Sequence, residues 1–405
     1  MSTSKDQYIF IHSSRRVRIV KNDTGEIEEI YINESKPIAI EGETRSLEQI
    51  AIQQKRSYYK EFFKKQFKNF LILSGAGSSI GIGKKQVGMS MAGLWNAAEV
   101  KLGEDFTKVC NYVNCSTAVP NLEVLLSLIE GHIKFSRENT KEVEKLIKNR
   151  SELLQLIKDM CDLVAPDEEN DFPHATFIRK ITQRKATLPR IKIFTLNYDL
   201  LFEQAANKVG AVVLDGFSFT TPREFSGRYF DYDLVQREKS RLKEEDNFIS
   251  RLFHLYKLHG SLNWTRDENQ EGKIIMQHGC GDPLMVYPRE SKYENSYEQP
   301  FFEMVARFQQ NLRLDNTVLL CIGYSFGDKH INAILLEALN QNPGFQLAVI
   351  NPDFDGLNKN FQQLLKEAKV SERIIMIDER FSDFANHFPE IQTYYQEPEA
   401  EPINM

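Results

Sequence analysis

A series of short, almost wholly apolar runs, spaced along the chain from Leu71 onward, constrains its fold more than any other feature. The first is Leu71 to Ser74, and IKIFTL, AVVLDG, LYKLHG, LMVYP, TVLLCIGYS, QLAVIN and RIIMID follow. A strand that faces water on one side alternates apolar and polar residues, whereas a strand apolar throughout needs cover on both faces. Helix-periodic stretches such as FFEMVARFQQNLR and HINAILLEALNQ lie between several of the runs. Buried strands alternating with helices are the pattern of an α/β fold, a parallel sheet with helices on both faces.

The first 46 residues differ from the rest. YIFIHSSRRVRIV, EIEEIYIN and PIAI are strand-like pieces, with NDTGE as a turn, and predict a small β appendage over 1–46. From Leu47 to Phe70 the apolar spacing is helical and leads into the first buried strand. The main domain is expected over 47–388, with a helical insertion at about 90–187, where NLEVLLSLIEGHIKF, KEVEKLIKNRSELLQLIKDM and HATFIRKITQR keep an amphipathic period. Arg223 to Asp246 is charged, aromatic and aperiodic, a loop or lid, and 389–405 reads as a flexible acidic tail. A net charge of -6 gives no whole-chain attraction to nucleic acid or anionic membrane. The apolar runs fall short of the roughly 20 residues that a membrane span needs. The five cysteines follow no disulfide spacing, so a reducing cytoplasm is the expected setting.

LILSGAGSSIGIGKK places Gly75, Gly77, Gly81 and Gly83 directly after an apolar strand. Glycines let amides come close to a phosphate, and a helix starting after them adds partial positive charge. This is not a Walker A loop, because the required glycine falls on Ser78 and the required Ser or Thr on Lys85. The G-x-G-x-x-G spacing fails as well, since Gly81 comes one residue late. Other apolar runs also end in polar groups: TLNYD in Asn197 and Asp199, KLHGS in His259, CIGYSFGD in Gly323, Ser325 and Gly327, and LAVIN in Asn351. Ligands of open α/β sheets sit at the carboxyl ends of the strands, so these groups are expected along one edge. Plainer roles exist, since Asn and Asp also cap helices. GYSFG further fits the G-x-S-x-G nucleophile elbow, with Asp353 and His387 following in the order of an α/β-hydrolase triad. That serine-esterase alternative leaves the Gly75 loop and the Asn197 motif without a task.

Taken in order, GAGSS, TLNYD, HGS, GYS and VIN resemble the NAD-binding motifs of sirtuin-like proteins, over about residues 70 to 355. The resemblance implies a Rossmann-like sheet in which Gly75, Ala76, Gly77, Ser78 and Ser79 cradle the pyrophosphate. Asn197 and Asp199 would then hold the nicotinamide ribose and carboxamide. His259 would be the catalytic histidine, and Gly323, Ser325 and Asn351 would contact phosphate and adenosine ribose. Leu196 and Tyr198 stand where deacetylases usually carry Gln and Ile or Val. The paired CxxC motifs of a zinc ribbon are missing: Cys110 and Cys115 are the one close pair, with Cys161, Cys280 and Cys321 scattered, so no structural zinc is expected.

The divergent motifs and the helical insertion resemble the bacterial sirtuin-like effectors of antiphage defence, and the stand-alone length resembles the subunit that assembles with a HerA-type hexameric ATPase. That resemblance implies a cytoplasmic homo-oligomeric NAD hydrolase, gated by its partner and meeting nucleic acid only through it, with nicotinamide and ADP-ribose as products. Nicotinamide leaves as a neutral base and needs no proton. The catalytic task is therefore to stabilise an oxocarbenium-like ribose and supply a nucleophile, as in glycoside hydrolysis. His259 is expected as the base, Asn197 as the group orienting ribose and water, and Asp199 as the holder of the carboxamide or of Asn197. A non-catalytic nucleotide-sensing scaffold, docked through the appendage and tail, is the non-enzymatic alternative.

Overall fold

The computed structural model describes residues 5–35, 44–118, 120–136, 141–167, 172–185, 188–236, 248–267, 270, 272–277, 279, 283–285, 299–354 and 358–390. The strand-like PIAI, Cys280 and nearly all of the acidic tail lie outside these residues. Ten strands form one sheet: β1 (Lys5–His12), β2 (Arg15–Lys21), β3 (Ile27–Ile32), β4 (Asn69–Ser74), β5 (Ile191–Thr195), β6 (Val212–Leu214), β8 (Leu252–Lys257), β11 (Thr317–Ile322), β12 (Phe345–Ile350) and β13 (Ile374–Ile377). A second, three-stranded sheet joins β7 (Arg223–Glu224), β9 (Trp264–Arg266) and β10 (Ile274–Met276). LMVYP does not become a strand in its described part, where Met285 makes an isolated bridge to Gly260.

Across the large sheet the order is β3-β2-β1-β13-β12-β11-β4-β5-β8-β6. From β13 to β6 every pairing is parallel. β1 joins β13 antiparallel, and β2 and β3 continue from it, so residues 5–32 extend the same sheet. YIFIHSSRRVRIV, one run in the sequence, is a hairpin that turns at Ser13 and Ser14.

Successive side chains of a strand face opposite ways, and the two faces find separate cover. Phe70, Ile72, Ile193, Leu255, Leu320 and Ile350 pack with α1 (Leu47–Phe63), α6 (Pro173–Ile181), α7 (Leu201–Val209) and α11 (Phe381–His387). Leu71, Leu73, Phe194, Tyr256, Leu319 and Val349 pack with α8 (Phe301–Leu312), α9 (Lys329–Gln341) and α10 (Lys359–Ala368). Sequence cues set the helix starts: Ser46 and Gln49 form a reciprocal capping box on α1, and Asp328 and Asn358 cap α9 and α10.

The insertion contains α2 (Met91–Leu102), α3 (Glu104–Tyr112), α4 (Leu122–Phe135) and α5 (Lys141–Cys161), gathered round a third core of Trp95, Phe106, Leu125, Ile129 and Leu153. The last helical stretch read in that region, α6, instead covers the sheet through Phe177, Ile178 and Ile181. Among the described residues no helix is long and apolar enough to cross a membrane.

Candidate active site

Parallel register brings the strand ends into line. Ser74, Thr195, Lys257, Ile322, Ile350 and Ile377 end the pairing on neighbouring strands. One residue further stand Gly75, Leu196, Leu258, Gly323, Asn351 and Asp378. Asn197 and His259 each lie two residues beyond the paired Thr195 and Lys257. The sequence-predicted groups thus share one carboxyl edge. The strand order reverses between β4 and β11, and an open sheet has its binding crevice at such a point.

At that crevice the glycines serve each other. A Cβ on Gly77 would stand 2.6 Å from Gly323 Cα, and one on Gly75 would stand 2.8 Å from Gly323 O. The Gly75 amide donates to Ile322 O at 2.9 Å and the Gly77 amide to Gly323 O at 2.9 Å. Ser78 and Ser79 donate back to Gly75 O and Ala76 O, both at 3.0 Å. Of the amides from Gly75 to Ser79, only that of the exposed Ala76 makes no such bond among the described residues. Backbone contact between two strand-end loops therefore demands these glycines, a cause the sequence reading did not contain. The helix start expected after the loop is also missing: one 3-10 turn, Ala76–Ser78, leads into irregular chain, and α2 begins only after its cap at Ser90. A macrodipole needs a run of aligned peptides, which one turn does not supply.

Asn197 and Asp199 hold this loop. Asn197 is 9% exposed, and its Nδ2 lies 3.1 Å from Gly75 O, 3.1 Å from Ser78 Oγ and 2.9 Å from Ser79 Oγ. Ser79 Oγ donates to Asp199 Oδ2 at 2.7 Å, while Asp199 Oδ1 accepts from the Leu201 amide at 3.1 Å at the start of α7. The capping role and the link to the glycine loop coexist in one carboxylate. Beneath them Lys257, only 2% exposed, donates to the carbonyls of Asp199 and Tyr198 and, at 3.1 Å, to Glu203 Oε1.

His259 meets a residue that the sequence reading missed. Its Nε2 lies 3.2 Å from Asp328 Oδ2, with the two side chains 12% and 8% exposed. Asp328 Oδ1 accepts from the amides of His330 at 2.9 Å and Ile331 at 3.3 Å, so the carboxylate that caps α9 also faces the histidine. β8 and β11 are separated by β4 and β5. At roughly 4.8 Å per strand spacing, the two loops approach across about 14 Å and arch over the ends of β4 and β5. Gly260, at φ 91°, lets this loop pass Leu284, whose carbonyl oxygen a Cβ would meet at 2.1 Å. Asp328 could be read from sequence as a helix cap; no spacing rule ties it to a histidine 69 residues earlier.

The insertion closes one side of the edge. Tyr198 and Leu262, from the loops after β5 and β8, are buried in its core. The end of α5 comes near Asp199: burial pushes the Cys161 thiol up to about 12, and the charges of Asp199 and Glu123 add to the shift. Tyr198, which departs from the deacetylase pattern, is thus the contact through which the insertion seats on the Asn197 loop.

Gly323, Ser325 and Asn351 lie on the far side of the crevice. Asn351 is 5% exposed and donates through Nδ2 to Tyr324 O at 2.6 Å, bracing the turn, whereas Ser325 is exposed and its carbonyl accepts from Asn358 Nδ2 at 2.6 Å. Ser325, Asp353 and His387 are held by separate partners. The Asp353 amide donates to Asp378 Oδ1, and His387 Nδ1 lies 2.7 Å from Asp383 O within α11. Positive φ falls on Gly323 and Phe326 and not on Ser325, unlike the strained serine of a nucleophile elbow. A cavity of about 220 Å³ lies elsewhere, at the amino edge between α8 and α9, lined by Gln309, Arg313, Asp315, Glu337 and Asn342. Among the described residues no group of three or more His, Cys, Asp or Glu could hold a metal ion.

Among curated proteins no match to the chain was found. The SIR2-like domain family matches residues 191–372. The match starts at the first residue of β5 and takes in Asn197, Asp199, His259, Gly323, Ser325, Asp328 and Asn351, but not the glycine loop. Domains of that family act on NAD, and the mostly parallel, doubly covered sheet is consistent with their Rossmann-like fold. Over the segment that supplies most of its carboxyl edge, the chain is sirtuin-like.

Proposed function

We propose that the chain is an NAD glycohydrolase, cleaving the nicotinamide–ribose bond to give nicotinamide and ADP-ribose. One observation carries the reading. Asn197 and His259 stand at equivalent positions on neighbouring parallel strands, beside the crevice where the sheet order reverses. A carboxamide and an imidazole so placed suit a substrate whose leaving group needs no proton. The carboxamide orients a ribose hydroxyl or water, and the imidazole removes the proton of the attacking group. Hydrolysis of NAD, in place of deacetylation, is supported by the sequence, which lacks the paired CxxC motifs of a zinc ribbon and carries Leu196 and Tyr198 around Asn197.

The residues fit the substrate in part. The Ala76 amide, the exposed Ser325 hydroxyl and the edge of the Gly323 turn would meet phosphate or ribose, whereas the side chains of Asn351 and Ser79 bond neighbouring loops. Asn197 and Asp199 are likewise engaged with the glycine loop, so substrate binding would exchange some of these bonds. On the sequence resemblance alone, the reading extends to an effector of antiphage defence, homo-oligomeric and gated by a HerA-type ATPase. The test is nicotinamide release from NAD by the purified chain, alone and with the product of a neighbouring ATPase gene. Turnover in at least one condition is expected. NAD retained intact in every condition would instead mark a nucleotide-sensing scaffold.

A further inference from the structure

We propose that Asp328 is a positioning residue for His259: its carboxylate accepts the Nε2 proton, fixes the imidazole as the Nε2–H tautomer and leaves Nδ1 as the nitrogen that takes a proton. The inference rests on the reading of His259 as the base. An ionised carboxylate can only accept, and a neutral imidazole has one donor and one acceptor nitrogen. The nitrogen 3.2 Å from Asp328 Oδ2 is Nε2, so with the proton towards the carboxylate the lone pair belongs to Nδ1.

Three features make Asp328 a fixed reference for the ring. Its second oxygen is held by the amides of His330 and Ile331 at the start of the 13-residue α9. Its carbonyl accepts from Tyr324 Oη at 3.2 Å, and Tyr324 is buried and bonded at 2.8 Å to Asn332. Both members of the pair are nearly buried, which strengthens their interaction over that of an exposed pair. In the proposed step an O–H bond of the attacking water breaks and Nδ1–H forms, directly or with a ribose hydroxyl passing the proton on. The new oxygen–carbon bond replaces the carbon–nitrogen bond, and nicotinamide leaves with that electron pair. The imidazolium keeps its Nε2 proton against Asp328, which stabilises the charge without taking the proton. The pair also joins the loops after β8 and β11, so orienting the histidine and closing the arch over Asn197 are one contact.

The test uses the full chain and has a readout that does not depend on turnover. Nitrogen–proton correlation spectra of the imidazole, assigned by their loss in His259→Ala, are expected to show the Nε2–H form at neutral to mildly alkaline pH. Asp328→Asn keeps a residue that caps helices as well as Asp does but removes the carboxylate. It is expected to mix the tautomers and to lower kcat about 10- to 100-fold, the usual cost of losing a group that orients a first-contact ligand. KM should stay within about twofold, and the double variant with His259→Ala should be no slower than His259→Ala alone. Asp328→Ser, a second capping residue, replaces the Asn variant if that one fails to fold. An Nδ1–H form in the parent, a tautomer unaltered by Asp328→Asn, or a further loss in the double variant would overturn the proposal. If the parent does not cleave NAD under any condition, the functional reading fails by that result, while the tautomer still decides the pairing.

Discussion

His174 lies under α7 and α11 with the rings of Phe172, Phe202 and Phe381 at 5.9, 4.8 and 5.0 Å, and among the described residues neither of its nitrogens has a hydrogen-bond partner. Burial pushes its pKa down to about 3, against about 6.5 in an unfolded chain. Below pH 6.5 the unfolded chain binds a proton that the folded chain refuses, so stability falls as pH drops from about 6.5 towards 3 and this group is silent above. His254, also buried and pushed down to about 3, acts in the same direction. His174→Phe is expected to be at least as stable as the parent at pH 7.5 and to lose about 1.4 kcal/mol less per pH unit between pH 6 and 5. Denaturant unfolding at those pH values measures it, and a slope equal to the parent's would mean the ring is not neutral in the folded chain. Single residues were the least readable scale. Asn197 and His259 stood out as polar groups at strand ends, but the sequence held no sign that Ser79 and Asp328, each from a distant loop, would be their partners, or that Lys257 at the end of β8 would hold the carbonyls of Tyr198 and Asp199. His174 gave no warning either, since HATFIRK reads as an ordinary amphipathic helix.

Among the elements, the two strand-end loops at the crevice act as one unit. Gly77→Ala would drive a Cβ into Gly323 Cα, where neither backbone has a rotamer to yield, and overpacking of this kind costs about 1–3 kcal/mol. Gly103→Ala, with nothing within 4 Å of its Cβ but φ 55°, is the control for backbone strain alone and is expected to cost about 1 kcal/mol. Equal losses in thermal unfolding would show that the loops are not in contact. Beneath the Asn197 loop, Lys257→Met removes the buried ammonium that holds two carbonyls and Glu203, a change expected to cost about 3 kcal/mol. Adding Glu203→Gln should recover part of that loss by relieving the stranded carboxylate, which a double-mutant cycle reads directly. The elements themselves were largely readable: continuous apolar runs gave the central strands, and helix-periodic stretches gave several of the helices that cover them. The glycine loop misled because close backbone approach to a phosphate and to a second loop require the same residue.

Across the whole molecule, one sheet carries the architecture from β3 to β6, and its reversal between β4 and β11 fixes where the loops converge. The order could not be read from the sequence, since parallel pairing joins segments far apart in the chain, as where Thr317 of β11 pairs with Asn69 of β4. The N-terminal strands are part of this construction. β1 pairs with β13, Lys55 of α1 donates to Asp378 O at 2.7 Å, and Gln7 Nε2 donates to Asp378 Oδ2 at 2.7 Å. Deleting residues 1–34 is therefore expected to bare the apolar strand β13 as a sheet edge and cause aggregation, seen in size-exclusion profiles; a well-behaved deletion product would make these strands a detachable docking element. The proposed cleavage of NAD depends most on His259 at the carboxyl edge. The direct measurement is nicotinamide release from NAD by His259→Ala and parental protein, folded and assembled alike, under the condition in which the parent is active. A loss of about 100-fold or more is expected, the scale of a removed general base, with stability changed by about 1 kcal/mol or less. Nicotinamide released by His259→Ala at the parental rate would contradict it.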